Sequence, residues 1–105
     1  MTTSSLTQTY IDRVEPLGRV AGAHQLDAGS TSSNTVLTAN VSRISMRAVG
    51  ADIRYSIGDT AQTAASTSHF IANGERLDVA VPPGANIAVL RNAGTNGTLE
   101  ITELN

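Results

Sequence analysis

Alternation of apolar and polar residues is the main pattern in this chain, and it predicts short β-strands. In RISMRA (residues 43–48) and DIRYSIG (residues 52–58), every second side chain is apolar. This period of two is typical of strands that bury one face. The segment Val49-Gly50-Ala51 between the two runs predicts a turn, so together they predict a β-hairpin. The predicted inward side chains are Ile44, Met46, Ala48, Ile53, Tyr55 and Ile57.

Further short apolar runs are separated by turn residues and predict more strands. Asn73-Gly74 and Asn96-Gly97 predict two further hairpins, because both residue types tolerate positive φ. Pro82-Pro83-Gly84 fits a type II turn, and the small residues of DTAQTAASTS, 59–68, predict a loop. Further strands are expected at residues 17–27, 35–38, 69–71, 86–92 and 97–105, and in the run that carries the inward Leu77, Val79 and Val81. The strand at 86–92 is apolar enough to be central in its sheet. In the last strand, Leu99 and Ile101 are expected to point inward.

The spacing of these runs indicates the fold class. Seven or eight short strands, about ten residues apart, predict an all-β domain, because no segment has helical periodicity of useful length. We expect an antiparallel β-sandwich or small jelly roll over residues 17–105. An extended N-terminal arm over residues 1–16 is expected to precede it.

The predicted arm, MTTSSLTQTYIDRVEP, is polar, weakly periodic and closed by Pro16. One interpretation is a frayed terminus, the usual state of such a segment. The other is an arm that packs against a neighbouring subunit, which its apolar side chains favour. Both interpretations remain open. The candidate interface residues are Leu6, Tyr10, Ile11, Arg13, Val14 and Leu17.

Composition and charge argue against several classes of partner. The formal net charge is −2 and all seven basic residues are scattered arginines, so no nucleic-acid partner is predicted. No apolar run approaches the ~18 residues that span a bilayer, so no membrane association is predicted. MTTSSLTQTY has neither the basic nor the apolar region of a signal peptide, which predicts synthesis in the cytoplasm. Cysteine is absent, which excludes disulfides.

Candidate catalytic and metal-binding residues are few. His24 and His69 are the only histidines, and a zinc site needs three or more converging ligands, so no metal is predicted. Ser68 and His69 are adjacent, which points their side chains to opposite faces of a strand and argues against a nucleophile–base pair. We therefore predict no catalytic residue, no cofactor and no enzymatic activity. The loop acids Asp52, Asp59, Glu75 and Asp78 lack a calcium-loop spacing and are expected to serve turns and solvation.

The segment from Ile53 to Leu104 resembles a group of small tailed-phage and prophage proteins. The shared features are an IRYxIG strand, an SHFI…GERLD hairpin, a VPxGxxIAVxR strand and a terminal GTLEITEL. The likeness continues weakly through HQLDAGS and RISMRAVGADIRYSIG. These motifs are strand and turn residues, so they point to a fold and a genomic setting more than to an activity.

The resemblance implies a virion accessory protein of a siphovirus-like phage or gene transfer agent. Within that setting we expect a capsid decoration (cement) protein on the capsid surface, with the major capsid protein as its partner. A homo-trimer would suit three-fold positions on a shell. The alternatives are a head–tail connector, tail-completion or tail-tube component, a receptor- or glycan-binding tip module, which the scarcity of aromatic residues disfavours, and a small enzyme.

Overall fold

The alternating apolar residues build eight strands in the part of the chain that the structure describes. The computed structural model describes residues 20–104, and all structural statements concern that part. The strands are β1 (Val20–Ala28), β2 (Ser33–Val36), β3 (Arg43–Val49), β4 (Ile53–Gly58), β5 (His69–Ile71), β6 (Arg76–Ala80), β7 (Asn86–Arg91) and β8 (Gly97–Leu104). Residues 20–104 contain no helix, and the predicted all-β class is confirmed.

The strands form two antiparallel four-stranded sheets that enclose the core. Sheet I has the order β1-β8-β3-β6 and sheet II the order β2-β7-β4-β5. Of these eight strands, only β4 and β5 are consecutive in sequence and adjacent in one sheet; every other connection crosses between the sheets. This is the strand order of a jelly roll, the second of the two predicted architectures.

The three predicted hairpins are wrong. Gly50 joins β3 in sheet I to β4 in sheet II, and the Asn73-Gly74 and Asn96-Gly97 turns also lead from one sheet to the other. Gly50 and Gly74 do adopt positive φ, 92° and 84°. Such residues reverse the chain equally well in an arch between sheets, so the local turn pattern does not specify which strands pair. The two apolar faces that flank an arch oppose each other across the core.

The predicted proline turn and the predicted second strand lie close to their positions in the structure. The Pro82-Pro83-Gly84 turn is confirmed, since the Ala85 N–H donates to the Pro82 carbonyl at 3.1 Å and Gly84 has φ 67°. The strand predicted at 35–38 is displaced to β2, two residues earlier. Pairing continues just past β2, because the Leu37 N–H donates to the Ala85 carbonyl at 2.8 Å.

The core between the sheets is almost wholly aliphatic. The predicted inward residues of β3 are fully buried, as are Ile53 and Ile71 from sheet II. Ile57, Leu77 and Val79 are partly buried against this cluster. Both faces of β7 are buried along Asn86–Val89, which confirms its predicted central position. The residues with the largest fully buried side chains include Ile44, Met46, Ile87, Leu99, Ile101 and Glu103.

Replacing Gly50 by alanine is expected to lower the free energy of unfolding by about 1 kcal/mol, because an L-residue at positive φ is strained. An added Cβ would meet the Gly97 Cα at 3.8 Å, an ordinary contact, so the backbone conformation is the source of the effect. Urea denaturation measures it. Gly94→Ala is the control, since that site has open space and no positive φ. Equal destabilisation by both variants would contradict the assignment.

Candidate functional site

The two histidines lie in different sheets and have different partners. His24, on β1, places Nε2 2.8 Å from Oε2 of Glu103. His69, on β5, stacks on Tyr55 with 5.3 Å between ring centroids. Among residues 20–104, no group of three or more His, Cys, Asp or Glu side chains is arranged to hold a metal ion. The histidines therefore do not converge on a common site.

The adjacent Ser68 and His69 also engage separate partners. The Ser68 hydroxyl accepts a hydrogen bond from the Ala65 N–H at 2.9 Å, which closes a turn before β5. The pKa of the neighbouring Tyr55 phenol is raised by burial and, to a lesser degree, by the charge of Glu75. Tyr55 is therefore neutral near pH 7.

Glu103 is the one fully buried charged residue among those the structure describes. It lies on the inward face of β8, beyond Ile101. Its Oε2 accepts hydrogen bonds from the Thr38 N–H and from His24, both at 2.8 Å, and its Oε1 accepts one from the Thr38 hydroxyl at 2.8 Å. A buried carboxylate is tolerated when its lone pairs are satisfied in this way. Glu103 thereby joins β1, β8 and the segment after β2.

A β-bulge makes room for this carboxylate. The register between β1 and β8 pairs Val20 with Leu104 and Ala23 with Thr102, so two residues of β1 oppose Glu103. One of the two is Gly22, where an added Cβ would overlap Oε1 of Glu103. Glycine therefore lets the carboxylate lie directly against the β1 backbone.

Opposing effects set the pKa of Glu103. Burial raises the pKa, but the hydrogen bonds from the Thr38 N–H, His24 and the Thr38 hydroxyl, together with the charge of His24, outweigh burial and hold the pKa below its ordinary value of 4.5. The folded protein thus favours the ionised carboxylate. A side chain only 1% exposed offers no access to a substrate, so its chemical role is to fix the strands around it.

Acid is expected to destabilise the fold through Glu103. Because the folded pKa is lowered, the contribution of the carboxylate is complete above pH 4.5 and is lost as the pH falls through the folded pKa. The melting temperature measured between about pH 7 and about pH 2 should fall less steeply in Glu103→Gln, which does not titrate. Glu100→Gln, an exposed site on the same strand, is the control. Parallel pH profiles for wild type and Glu103→Gln would contradict this role.

The sequence-based prediction missed Glu103, although the pattern that reveals it is present. Leu99 and Ile101 are inward, and a period of two places residue 103 on the same face. An acidic side chain at an inward position requires a buried partner. His24 lies two residues before the inward Leu26 on β1, so it also points inward and can be the partner of Glu103.

The four predicted loop acids do not converge on one site, and two of them accept hydrogen bonds within the turns. Asp52 Oδ1 accepts the Asn73 N–H at 2.8 Å, and Glu75 Oε1 accepts the Ala72 N–H at 2.9 Å. Asp59 lies at the opposite end of the sandwich, and Asp78 lies on the outer face of β6. Three arches surround an open hollow of about 280 Å³, lined by Gly50, Ala51, Asp52, Asn73, Ala93 and Thr95.

The predicted loop at residues 59–68 covers part of the outer face of sheet II. The Gln62 N–H donates to Asn34 Oδ1 at 2.9 Å, and the Ser56 hydroxyl donates to Gln62 Oε1 at 2.7 Å. Beneath this loop, Ala88 of β7 is fully buried although it points away from the core. Sheet II is therefore covered on both faces around Ala88, whereas Phe70 on the outer face of β5 stays exposed.

The outer face of sheet I is polar, and it is exposed around the middle of its strands, whereas Leu104 at the end of β8 is buried on this face. Alternation with the buried residues points Gln25, Arg47, Arg76 and Glu100 outward, and all four are exposed. The large exposed apolar side chains, Val36, Val49 and Phe70, are on different strands and do not form one patch. Sheet I thus presents a polar surface formed by four strands.

The candidate interface residues of the arm lie outside the described residues; they are Leu6, Tyr10, Ile11, Arg13, Val14 and Leu17. No helix within residues 20–104 is long and apolar enough to cross a membrane. Comparison with protein-family models, with curated proteins and with solved structures found no match to this chain. The proposed function therefore depends on the chain's own residues and on the resemblance carried by its motifs.

Proposed function

We propose that this protein is a non-enzymatic structural component of a phage particle, a decoration protein that binds the major capsid protein on the capsid surface. The observation that carries the proposal is the resemblance over Ile53–Leu104. These residues build β4 to β8, so the likeness extends over strands of both sheets and the turns between them. It therefore follows a structural unit rather than a scattered set of residues.

The surfaces of the domain are compatible with this function. Jelly rolls occur in viral capsid proteins and in lectins, so the fold agrees with the proposal without deciding it. A decoration protein adds interface area that exists only in the assembled shell, and its binding stabilises that state by mass action. The arch end, with the polar residues Asp52, Asn73 and Thr95, suits such a hydrated interface.

Copy number and position in purified particles test the proposal. Quantitative mass spectrometry with cryo-EM should find copies over the whole shell, at local symmetry axes. Copies confined to one vertex or to the tail would replace decoration by a connector or tail component. Absence from the particle would refute the virion assignment. Three-fold clusters would support the predicted homo-trimer.

The role of the arm has a separate test. A variant that lacks residues 1–15 should unfold cooperatively, because the described strands begin at Val20, but should lose binding to capsids. Circular dichroism and thermal melting control for folding. Capsid binding equal to that of the full chain would reject the arm as a clasp on a neighbouring subunit.

The hollow at the arches favours glycan binding at a tip as a second candidate. It presents the polar side chains of Asp52, Asn73 and Thr95. No aromatic ring lines it, so stacking on a sugar ring is not available there. Binding to immobilised cell-surface glycans that Thr95→Ala abolishes would favour this candidate over decoration.

A further inference from the structure

One row of polar side chains, three of them charged, crosses the face of sheet I. The strand register places Gln25, Glu100, Arg47 and Arg76 side by side on β1, β8, β3 and β6. Glu100 and Arg47 flank the line between the two central strands, β8 and β3. The acidic member of this row thus lies on one side of the midline and the basic members on the other.

These charges are not neutralised within the described residues. Glu100 and Arg47 are cross-strand neighbours, yet the only ion pair in residues 20–104 joins His24 to Glu103. Arg47 also lies opposite Arg76, and like charges in opposing positions destabilise a sheet. Arg76 directs Nη1 to the Ser45 hydroxyl at 3.3 Å. Departures of this kind from a local rule are expected at functional or strained sites.

We propose that the exposed face of sheet I is the interface with a second copy of this chain. A two-fold axis that lies in the interface, parallel to the strands and along the β8–β3 midline, exchanges the two ends of this row. Each Glu100 then faces Arg47 of the second copy, twice by symmetry, and each Arg76 faces Gln25 of the second copy. The two-fold operation makes the row self-complementary.

The side chains beside the charged row permit close approach of two such faces. Thr98 and Thr102 on β8 and Ser45 on β3 are short, and they point to the same face. Val49 on β3 is paired with Thr98 on β8, is 38% exposed and supplies apolar contact. Sheets that pack face to face keep their strands within about 30° of each other, which this axis allows.

The size of the face sets the expected strength. Leu104 is buried on this face, so the free part of the face runs from Ser45 to Val49 along β3. Four strands about 4.8 Å apart and five residues about 3.4 Å apart give roughly 19 by 17 Å. Such a pair buries on the order of 700 Å² in total, the size of a weak, transient contact. Exposed ion pairs add little affinity and are screened by salt. The association is therefore weak and reversible, with a dissociation constant of roughly 0.1–1 mM.

Charge reversal tests the proposal in the full-length protein by sedimentation equilibrium. The wild-type chain should form dimers that high salt weakens. Arg47→Glu and Glu100→Arg should each weaken dimerisation about tenfold or more, because each places like charges opposite each other twice. An equimolar mixture of the two variants should restore dimers, since every contact then pairs opposite charges. Asp59→Arg, at a site off this face, is the matched control for Glu100→Arg, because both substitutions replace an acid with arginine.

The mixture separates pairing between chains from effects within one chain. Arg47 and Glu100 are also neighbours in the same sheet, so melting temperatures must confirm that each variant folds. A wild-type monomer at about 1 mM would overturn the proposal. A trimeric mass would also overturn it, as would a mixture of the two variants that stays monomeric. Dimers whose strength neither charge reversal changes would overturn it too, since association through residues 1–19 would give that result. None of these outcomes bears on copy number in particles, which tests the proposed function separately.

Discussion

Replacing Glu103 by alanine is expected to lower the free energy of unfolding by about 3 kcal/mol, because it removes a buried carboxylate that satisfies three hydrogen bonds. The Thr38 N–H, the Thr38 hydroxyl and His24 would lose their acceptor at 2.8 Å. The truncation also leaves a cavity where the side chain was fully buried. Urea denaturation at neutral pH measures the loss.

Glu103→Gln distinguishes the loss of the bonds from the loss of the charge. The amide has nearly the same shape, its oxygen can accept from the Thr38 N–H, and its NH₂ can donate to the Thr38 hydroxyl. Neutral bonds are weaker than charge-assisted ones, so a loss of about 1 kcal/mol is expected. Glu100→Ala, exposed on the same strand, should change stability by less than about 0.5 kcal/mol. If Glu103→Ala were no more harmful than Glu100→Ala, the carboxylate would not hold the strands together.

Strand positions could be predicted from the sequence because alternation is a local property. Ile44, Met46 and Ala48 are buried as the period of two requires, and the continuous apolar run of β7 lies at the centre of sheet II. These predictions need only the side-chain directions within one strand. They do not depend on which strands are neighbours.

Strand pairing could not be predicted, because turn residues report backbone angles and not partners. Gly50 and Gly74 have the positive φ that a hairpin needs, but each begins a crossing between the sheets. The packing of the loop at 59–68 over Ala88 was equally hidden, since its small residues show no periodicity. The inward position of Glu103 could have been predicted from the alternation along β8. Its partners His24 and Thr38 could not, because they are distant in sequence.

The two proposals use different surfaces and can hold together. Pairing of two sheet I faces leaves the arch end of each copy, with Asp52 and Asn73, open to another protein. A two-fold dimer does not match a three-fold position, so a decoration protein that dimerises this way would bridge capsomers across two-fold positions. If both proposals hold, the protein should be a dimer in solution and its density in particles should lie at two-fold positions.

Replacing Gly22 by alanine is expected to lower the free energy of unfolding by about 2 kcal/mol, because the new Cβ overlaps Oε1 of Glu103 and lies 3.2 Å from its Cδ. The end of a free side chain would move aside at little cost. Oε1 is instead held by the Thr38 hydroxyl, and Oε2 by two further donors. Relieving the overlap means breaking these bonds inside the core.

A double-mutant cycle tests this explanation directly. In the Glu103→Ala background the obstructing oxygen is gone, so Gly22→Ala should become nearly neutral, with a coupling energy of about 2 kcal/mol between the two sites. Denaturation midpoints of the four proteins give this coupling. Additive effects would mean that alanine at position 22 disturbs the bulge itself. Strong coupling would show that glycine is required at this position because the buried carboxylate lies directly against it.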